Sequence, residues 1–404
     1  MEQSLSVIRQ LLQQKIFRHP SLLQYNTYSQ AVFNRLHKCH TVAIGVHQFN
    51  CNNSSCNHIH YQYHSCGNRH CPNCGGMKRE QWLSDRMSEL LPTTYYHLVF
   101  TLPTELHALI MGNRKQLLGL LFDASHHTIN TLAKDAQWLG AKPGIVSVLH
   151  TWGQQLSFHP HVHCIVSGGG IGSSGHWVHE KRKSGNYLFP KPAMQKIFKG
   201  YFLDHLKKLI AKKQVAIKEE QLIEQAIKLA GYKKWNVYAK APFGGPAQVM
   251  EYLGRYTHKV AITPHRILHI GNDTISFKYK DYTDGNKQKE LCLRHVEFIR
   301  RYEQHILPKR FVKIRHAGYL SHQGKHERIA AIHKQLQLPA PMPKVKISIQ
   351  LQVLQRTGTD ISLCPKCKTG TLVLVASFIM HNGQLKDIGT LKNKGSPIKI
   401  ETVS

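Results

Sequence analysis

Apolar and polar residues recur along this chain with two different periods. Close to the start, five aliphatic residues follow helical spacing and predict an amphipathic helix: Val7, Ile8, Leu11, Leu12 and Ile16. Later stretches rich in β-branched and aromatic residues predict strands over 95–103, 144–152, 161–167, 235–242, 260–270 and 274–282. Between these stretches, helical periodicity covers 115–136, 193–213 and 246–259. The mixture predicts an α+β fold in which helices flank an antiparallel sheet.

Shifts in composition divide the chain into three regions. Residues 1–90 contain most of the cysteines and predict a small Cys/His domain. Residues 91–330 contain the strands and helices of the α+β domain. Residues 331–404 form a basic C-terminal region with a CPKC motif, and we expect part of this region to be mobile.

The chain is strongly basic, with 54 Lys and Arg residues against 23 Asp and Glu residues and a formal charge of +31. This bias favours nucleic acid as the partner, with an anionic membrane surface as the second choice. The longest apolar run, 371–380, is about half as long as a bilayer span. The N-terminal helix also lacks the apolar core of a signal peptide. We therefore expect a cytoplasmic, nucleoid-associated protein without membrane contact.

Cysteine is concentrated near the N-terminus: six of the ten cysteines lie between Cys39 and Cys74. In a cytoplasmic chain this pattern indicates metal binding rather than disulfides. Two closely spaced pairs predict one tetrahedral zinc site: Cys51, Cys56, Cys71 and Cys74. The remaining residues suffice for a second zinc site of Cys/His type: Cys39, His47, Cys66 and His70. The alternative is that this second group consists of buried thiols and surface imidazoles.

The CPKC motif, Cys364 to Cys367, has no second cysteine pair near it in the sequence. His381 could add a ligand, but half of a zinc ribbon is a weak signal. The sequence leaves open whether this motif binds zinc.

The stretch FHPHVHCIVSGGG, residues 158–170, places two histidines on one face of a predicted strand. Alternation directs His161 and His163 to one side, while the opposite face is apolar and faces the core: Val162, Cys164 and Val166. If the preceding strand folds back as a hairpin, Gln154 lies beside His161 and is the natural third ligand. Two imidazoles and an amide oxygen would leave coordination positions open, as in a catalytic metal site. The alternative is a strand whose histidines are structural.

The stretch 246–259 contains two tyrosines four residues apart, Tyr252 and Tyr256, which a helix presents on one face. Gly254 between them suggests that another backbone passes close to this helix. The alternative is that both tyrosines belong to the core. A tyrosine that faces a metal-held phosphate and is flanked by cations suits nucleophilic attack on DNA. We expect DNA contacts from five residues: Arg69, Lys240, Arg255, His258 and Lys259.

Together, three motifs justify naming a resemblance: HTWGQQLSFHPHVHCIVSGGG, WNVYAKAPFGGPAQVMEYLGRYTHKVAIT and the N-terminal YHSCGNRHCPNCG. The chain closely resembles the insertion sequence 91-type transposases, two-tyrosine members of the HUH superfamily of single-strand DNA nucleases. The resemblance implies that His161 and His163 are the metal pair and that Tyr252 and Tyr256 are nucleophiles. It also implies a zinc-binding domain whose cysteines and histidine match at Cys39, His47, Cys51, Cys56, Cys66, Cys71 and Cys74.

For this chain, the resemblance implies a zinc-binding DNA-recognition domain at 1–90 and a nuclease domain at 91–330. The implied reaction is a transesterification assisted by Mg²⁺ or Mn²⁺, in which a tyrosine attacks phosphorus, releases a 3′-hydroxyl and forms a 5′-phosphotyrosine link. The implied partner is DNA, mainly single-stranded, at the ends of a mobile element and at its target. The implied outcome is movement of the element by a rolling-circle-like route.

Three other functions compete with this interpretation. A replication initiator or a relaxase would share the nicking chemistry. A zinc-stabilised nucleic-acid-binding protein would lack catalysis. A simple zinc hydrolase is disfavoured, because no acidic general base lies beside the histidines. The sequence leaves open which tyrosine cuts first, which sequences are recognised and whether the protein is an oligomer.

Overall fold

The computed structural model describes residues 2–74, 76–181, 188–217, 219–240, 248–249, 252, 254, 260–341, 343, 346–382 and 384–390. Its helices are α1 (Glu2–Leu11), α2 (Thr27–His37), α3 (Gly76–Met87), α4 (His107–Gly112), α5 (Arg114–Lys134), α6 (Lys191–Ala211), α7 (Glu220–Tyr232), α8 (His295–Glu303), α9 (Lys325–Gln335) and α10 (Ile349–Thr357). Short turns of other helix types occupy Leu12–Ile16, Pro20–Gln24, Thr104–Leu106, Pro264–Arg266 and Gly318–Leu320.

The strands are β1 (Gly45–Cys51), β2 (Ile59–Tyr63), β3 (Tyr95–Thr101), β4 (Lys142–Trp152), β5 (Phe158–Ile171), β6 (Trp177–His179), β7 (Val237–Lys240), β8 (Ile267–Ile270), β9 (Thr274–Asp281), β10 (Lys287–Arg294), β11 (Ile314–Ala317), β12 (Leu372–His381) and β13 (Gln384–Thr390). They form three sheets whose strand pairs are all antiparallel. The predicted α+β class, with an antiparallel sheet and helices, is confirmed.

The central sheet has the strand order β11-β4-β5-β3-β7, and β6 extends it along β5. One face of the sheet packs against α5 and α6 and forms the main apolar core. The alternate residues Val162, Cys164 and Val166 of β5 are fully buried in that core, as the sequence predicts. The same alternation puts His161, His163 and the β3 and β4 residues paired with them on the opposite face.

A second apolar cluster covers part of that opposite face. It joins Val146 and Ile165 of the sheet to Tyr319 and to side chains of α9, and Tyr252 packs against it. The face is therefore partly covered at one end, and the histidines of β5 lie toward the other.

The first region of the chain shares its core with residues far along the sequence. Phe17 and Phe33 pack against Tyr302 of α8, with ring centroids 5.4 and 5.8 Å from the Tyr302 ring. Buried residues of the three-stranded sheet β10-β9-β8, such as Phe277, complete this cluster. The predicted boundary near residue 90 thus separates segments whose side chains pack together in one core.

The four-stranded sheet combines strands from the N-terminal and C-terminal regions of the chain. Its order is β13-β12-β1-β2, and β12 pairs antiparallel with β1 from Cys51 opposite Leu372 to Gly45 opposite Ile379. The division of the sequence at 331 predicts no such pairing. Part of the region 331–404 is predicted to be mobile, and its last residues, 391–404, lie outside the described residues.

Among the described residues, no helix combines the length and the apolar character that crossing a membrane would require.

Candidate functional site

The β4–β5 hairpin brings three histidines together on the open face of the central sheet. His150 lies directly opposite His161 in the hairpin register, and Val148 lies opposite His163. One ring nitrogen of each histidine lies within 4.8 Å of the others. His150 is 3% exposed and His163 is 9% exposed, so water has little access to this group. Three imidazoles at this spacing can hold one divalent ion and leave coordination positions open.

Gln154, the predicted third ligand, makes its side-chain hydrogen bonds outside the histidine group. Strand β4 ends at Trp152, and the register is irregular between His150 and Trp152, so Gln154 lies in the turn. Its amide donates to the Tyr282 hydroxyl at 3.1 Å and accepts from the Lys280 amide at 3.4 Å. The sequence could have indicated His150, because strand alternation places it on the same face of β4 as Val148. A short hairpin turn then puts His150 opposite His161.

Hydrogen bonding fixes the orientation of His161. Its Nδ1 lies 2.6 Å from the carbonyl oxygen of His159, so Nδ1 carries the proton and Nε2 keeps its lone pair. Burial lowers the pKa of His161 to about 4, with the nearby His159 adding to the shift. A neutral imidazole with a fixed tautomer is the form that binds a metal ion.

Tyr252 reaches this site from the other side. It is helical, and its hydroxyl lies 2.7 Å from Nε2 and 2.9 Å from Nδ1 of His97. The same hydroxyl is 3.5 Å from Nδ1 of His163. The predicted nucleophile therefore lies beside His163 of the predicted metal pair, 89 residues away in sequence. Tyr256 and three predicted DNA contacts lie outside the described residues: Arg255, His258 and Lys259.

His97 links the tyrosine to the histidine group, and sequence reasoning missed it. Its Nε2 lies 3.0 Å from Nδ1 of His163, and the two rings are stacked with planes 9° apart. Burial, aided by the positive charge of Lys240 and by His161, lowers the pKa of His97 to about 3. The available signal was strand alternation in YYHLVF, since β3 pairs with β5 and places His97 opposite Ile165, on the histidine face.

Gly254, two residues after Tyr252, lies close to α3. A Cβ atom at Gly254 would lie 3.0 Å from Cδ1 of Leu83, so this glycine permits a close approach. The sequence led us to expect a neighbouring backbone, whereas the neighbour is the Leu83 side chain.

Two predicted DNA contacts can be located. Lys240 is exposed and lies opposite His97 in the β3–β7 register, so its charge borders the site. Arg69 is also exposed, but its guanidinium donates to the carbonyl oxygens of Pro308, at 2.9 Å, and Phe311. Arg69 therefore connects the N-terminal region to the segment before β11, and its donors are engaged within the protein.

The cysteines form two groups that differ from the predicted ones. In the first group, the Cys39 and Cys74 sulfurs lie 3.3 Å apart, Cys66 and Cys74 3.6 Å, and Cys39 and Cys71 3.7 Å. The group follows from the fold: Cys39 comes just after α2, and the other three lie between β2 and α3.

The second group combines Cys51 and Cys56 with the CPKC motif. The predicted zinc site of Cys51, Cys56, Cys71 and Cys74 is therefore wrong in its grouping. Proximity in sequence suggested that grouping, but the pairing of β12 with β1 brings Cys364 and Cys367 to the end of β1 instead.

Neither predicted histidine ligand lies in a cysteine group of the described residues. His47 lies on β1, with its Nδ1 2.8 Å from the Ser377 hydroxyl of β12. His70 accepts from the Arg69 guanidinium at 3.4 Å, and burial lowers its pKa to about 3. Both groups are instead complete with four thiols, so a histidine is not needed.

Comparison with known proteins agrees with these features. A family model described as "Transposase zinc-binding domain" matches residues 8–102, and one described as "Putative transposase" matches residues 144–328. A Sinorhizobium fredii protein named "Putative transposase y4qJ" is 36% identical over 372 residues, which cover 89% of this chain and 92% of that protein. The chain belongs to the insertion sequence 91-type transposases.

A second relative in this family is the "Transposase for insertion sequence element IS801" of Pseudomonas savastanoi pv. phaseolicola. It is 32% identical over 307 residues, which cover 74% of this chain and 72% of the relative. The resemblance inferred from the sequence motifs is confirmed, as is an N-terminal zinc-binding domain. Membership in this family makes DNA the partner of the protein, and zinc a structural component.

A solved structure of the conjugative relaxase TrwC, with oriT DNA and in a copper-bound form, also aligns with this chain. The alignment covers 39% of this chain and 68% of the relaxase at 12% identity, with a TM-score of 0.22. At this level the likeness does not bear on function.

Proposed function

We propose that this transposase cuts and joins single-stranded DNA through a covalent tyrosine–DNA link, with Tyr252 as nucleophile and His150, His161 and His163 as ligands of Mg²⁺ or Mn²⁺. The observation that carries the proposal is the position of the Tyr252 hydroxyl, 3.5 Å from His163 and in hydrogen-bond contact with His97. A phenol placed beside a group of three imidazoles is suited to attack a phosphate held at the same point.

The histidine group fits a divalent ion. Its three ring nitrogens converge, two of the rings are almost fully buried, and the carbonyl of His159 fixes the tautomer of His161. When bound, the ion would polarise a non-bridging oxygen of the scissile phosphate and orient the bond to be broken. Lys240 borders the group with a positive charge that would attract the DNA backbone.

In the proposed first step, the Tyr252 oxygen forms a bond to phosphorus and the phenolic proton is lost. The bond from phosphorus to the 3′-oxygen breaks, and that oxygen takes up a proton in place of the one that the phenol lost, so it leaves as a 3′-hydroxyl. One phosphodiester replaces another, so a 3′-hydroxyl of a second strand can attack the 5′-phosphotyrosine link and regenerate the tyrosine. No nucleotide cofactor is needed.

In this proposal, each of the two tyrosines forms one such covalent link to DNA. Tyr256, four residues after Tyr252, would carry the second link, which suits transfer of a single strand from donor to target by a rolling-circle-like route. The N-terminal region would contribute to recognition of the DNA ends, with a zinc ion on Cys39, Cys66, Cys71 and Cys74 that stabilises its fold.

The test is formation of a covalent adduct. The full-length protein is incubated with end-labelled single-stranded DNA from the ends of its element and with Mn²⁺ or Mg²⁺, and adducts are separated under denaturing conditions. We expect an adduct for the wild type and a strong loss for Tyr252→Phe combined with Tyr256→Phe. Tyr232→Phe is the matched control, because Tyr232 is 77% exposed on α7 and takes no part in the site.

An unchanged adduct yield in the double variant would overturn the proposal. Absence of any adduct from the wild type, despite DNA binding, would favour a non-catalytic binding protein. An adduct that forms equally well on a plasmid origin, without joining of element ends, would favour a replication initiator or a relaxase.

A further inference from the structure

The group formed by Cys51, Cys56, Cys364 and Cys367 has the geometry of a metal site. The Cys51 and Cys367 sulfurs lie 3.7 Å apart, and the Cys56 and Cys364 sulfurs lie 3.8 Å apart. Four sulfurs bound at ~2.3 Å to one tetrahedral ion lie roughly 3.8 Å from one another. A disulfide would require about 2.05 Å. The spacing therefore matches four thiolates around one ion rather than two cross-links.

The backbone around this group supports thiolate ligands. The Asn53 amide donates to the Cys51 sulfur at 3.4 Å, and the Gly370 amide donates to the Cys367 sulfur at 3.3 Å. Amide donors of this kind stabilise metal-bound thiolates and orient them. Gly370 is also required by space, because a Cβ atom there would lie 2.5 Å from the Cys51 sulfur. Two loops from opposite ends of the chain are thus fitted closely around the same four sulfurs.

We infer that these four cysteines bind a second structural zinc ion, which fastens the C-terminal hairpin β12–β13 to the N-terminal sheet. The zinc-binding match at 8–102 contains only two of the four ligands, so it does not assign this site. Four thiolates and no open position favour zinc in a structural role. The inference does not depend on the nicking chemistry proposed above.

The sheet at this end has a reason to need an ion. No residue of β12 belongs to the apolar clusters found among the described residues, and β13 is exposed along most of its length. Backbone pairing without a core gives a strand little stability. Zinc binding supplies folding free energy directly, so an ion at the end of β1 would hold a hairpin that burial alone would not.

The fastened segment also reaches α3. Before the CPKC motif, the Ile347 amide donates to the Gln81 side chain of α3 at 3.1 Å, and α10 follows. Leu83 of the same helix packs against Gly254, two residues after Tyr252. The second site thus anchors a segment that contacts the helix supporting the tyrosine.

The experiment counts metal in the purified full-length protein. We expect two zinc ions per chain in the wild type by elemental analysis, about one in Cys364→Ser/Cys367→Ser, and two in the control Cys292→Ser, whose cysteine is exposed on β10. Hydrogen exchange of the amides in β1 and β12 should rise in the double variant and stay unchanged in the control.

One zinc ion per wild-type chain, an unchanged zinc content in the double variant, or iron in place of zinc would each overturn the inference. If the double variant does not fold, the wild type alone decides. Stepwise titration with an organomercurial thiol reagent should release two zinc ions as the eight grouped thiols react, and release of one ion would contradict the second site.

Discussion

The histidine site and the cysteine groups both gather metal-binding side chains, but they are assembled in different ways. The histidines lie on adjacent strands of one sheet, and strand register alone places His150 opposite His161. The second cysteine group depends on β12, which joins β1 across more than three hundred residues. We infer from this difference that the histidine site lies on a fold that forms without metal. The second cysteine group, in contrast, helps to form the sheet in which it lies.

The sharpest way to break this comparison is to remove a thiol from the first cysteine group. We expect Cys71→Ser to lose one zinc ion and to unfold the N-terminal region, because structural zinc contributes on the order of 10 kcal/mol of folding free energy. Thermal unfolding and zinc content measure the effect, with Cys292→Ser as control. A variant that keeps its unfolding temperature without zinc would show that this region needs no ion.

The opposite result is expected at the histidine site. Changing His163 to Gln should lower adduct formation by about 100-fold or more, since a metal ion contributes several kcal/mol to the transition state. The unfolding temperature should change little, because the sheet and its core on the other face remain. Gln154→Ala is the matched control and should retain full activity, because Gln154 binds Tyr282 and Lys280 in the turn. Loss of activity in the control would return Gln154 to the ligand set.

A smaller effect should identify His97 as a positioning residue. His97→Gln should weaken the apparent affinity for Mn²⁺ by roughly 10- to 100-fold, a typical cost for residues that orient metal ligands. High Mn²⁺ should restore part of the adduct yield, which a purely structural role would not allow. His127→Gln serves as control, because His127 stacks on Tyr201 instead. Equal behaviour of the two variants would remove His97 from the site.

The smallest predicted effect is a pH dependence of the free energy of unfolding, which arises from His305, a buried histidine outside the site. His305 is 4% exposed, and burial lowers its pKa from 6.5 to about 4. Below pH 6.5 the unfolded chain binds a proton that the folded state excludes, so stability falls as the pH drops from about 6.5 to 4. Between pH 7.5 and 5 this costs about 2 kcal/mol. Urea unfolding at both pH values should show that His305→Gln loses less free energy of unfolding between pH 7.5 and 5 than the wild type. An equal loss in the two proteins would show that His305 is not the source of this pH dependence.

Strand alternation predicted much of the central sheet, whereas the association of Tyr252 with the histidines of β5 was implied by the family resemblance. Strand alternation also places His97 and His150 on the histidine face. Their proximity to the site can be recognised only when the order and register of β3, β4 and β5 are known. The cysteine grouping was beyond such reasoning, because local spacing favours the nearest pairs. Nothing in the local pattern of 372–381 indicates that this strand pairs with β1 rather than with a neighbour of its own.

The sheet built from both chain ends has a consequence for synthesis of the protein. Cys56 and Cys364 are 308 residues apart, a distance that a ribosome covers in roughly 15–60 s at about 5–20 residues per second. During that time β1 emerges with an unpaired edge and two thiols that await their partners. A product truncated before the CPKC motif would keep that edge open, which exposes it to aggregation and proteolysis. Completion of this sheet thus marks a chain that has been translated through residue 390.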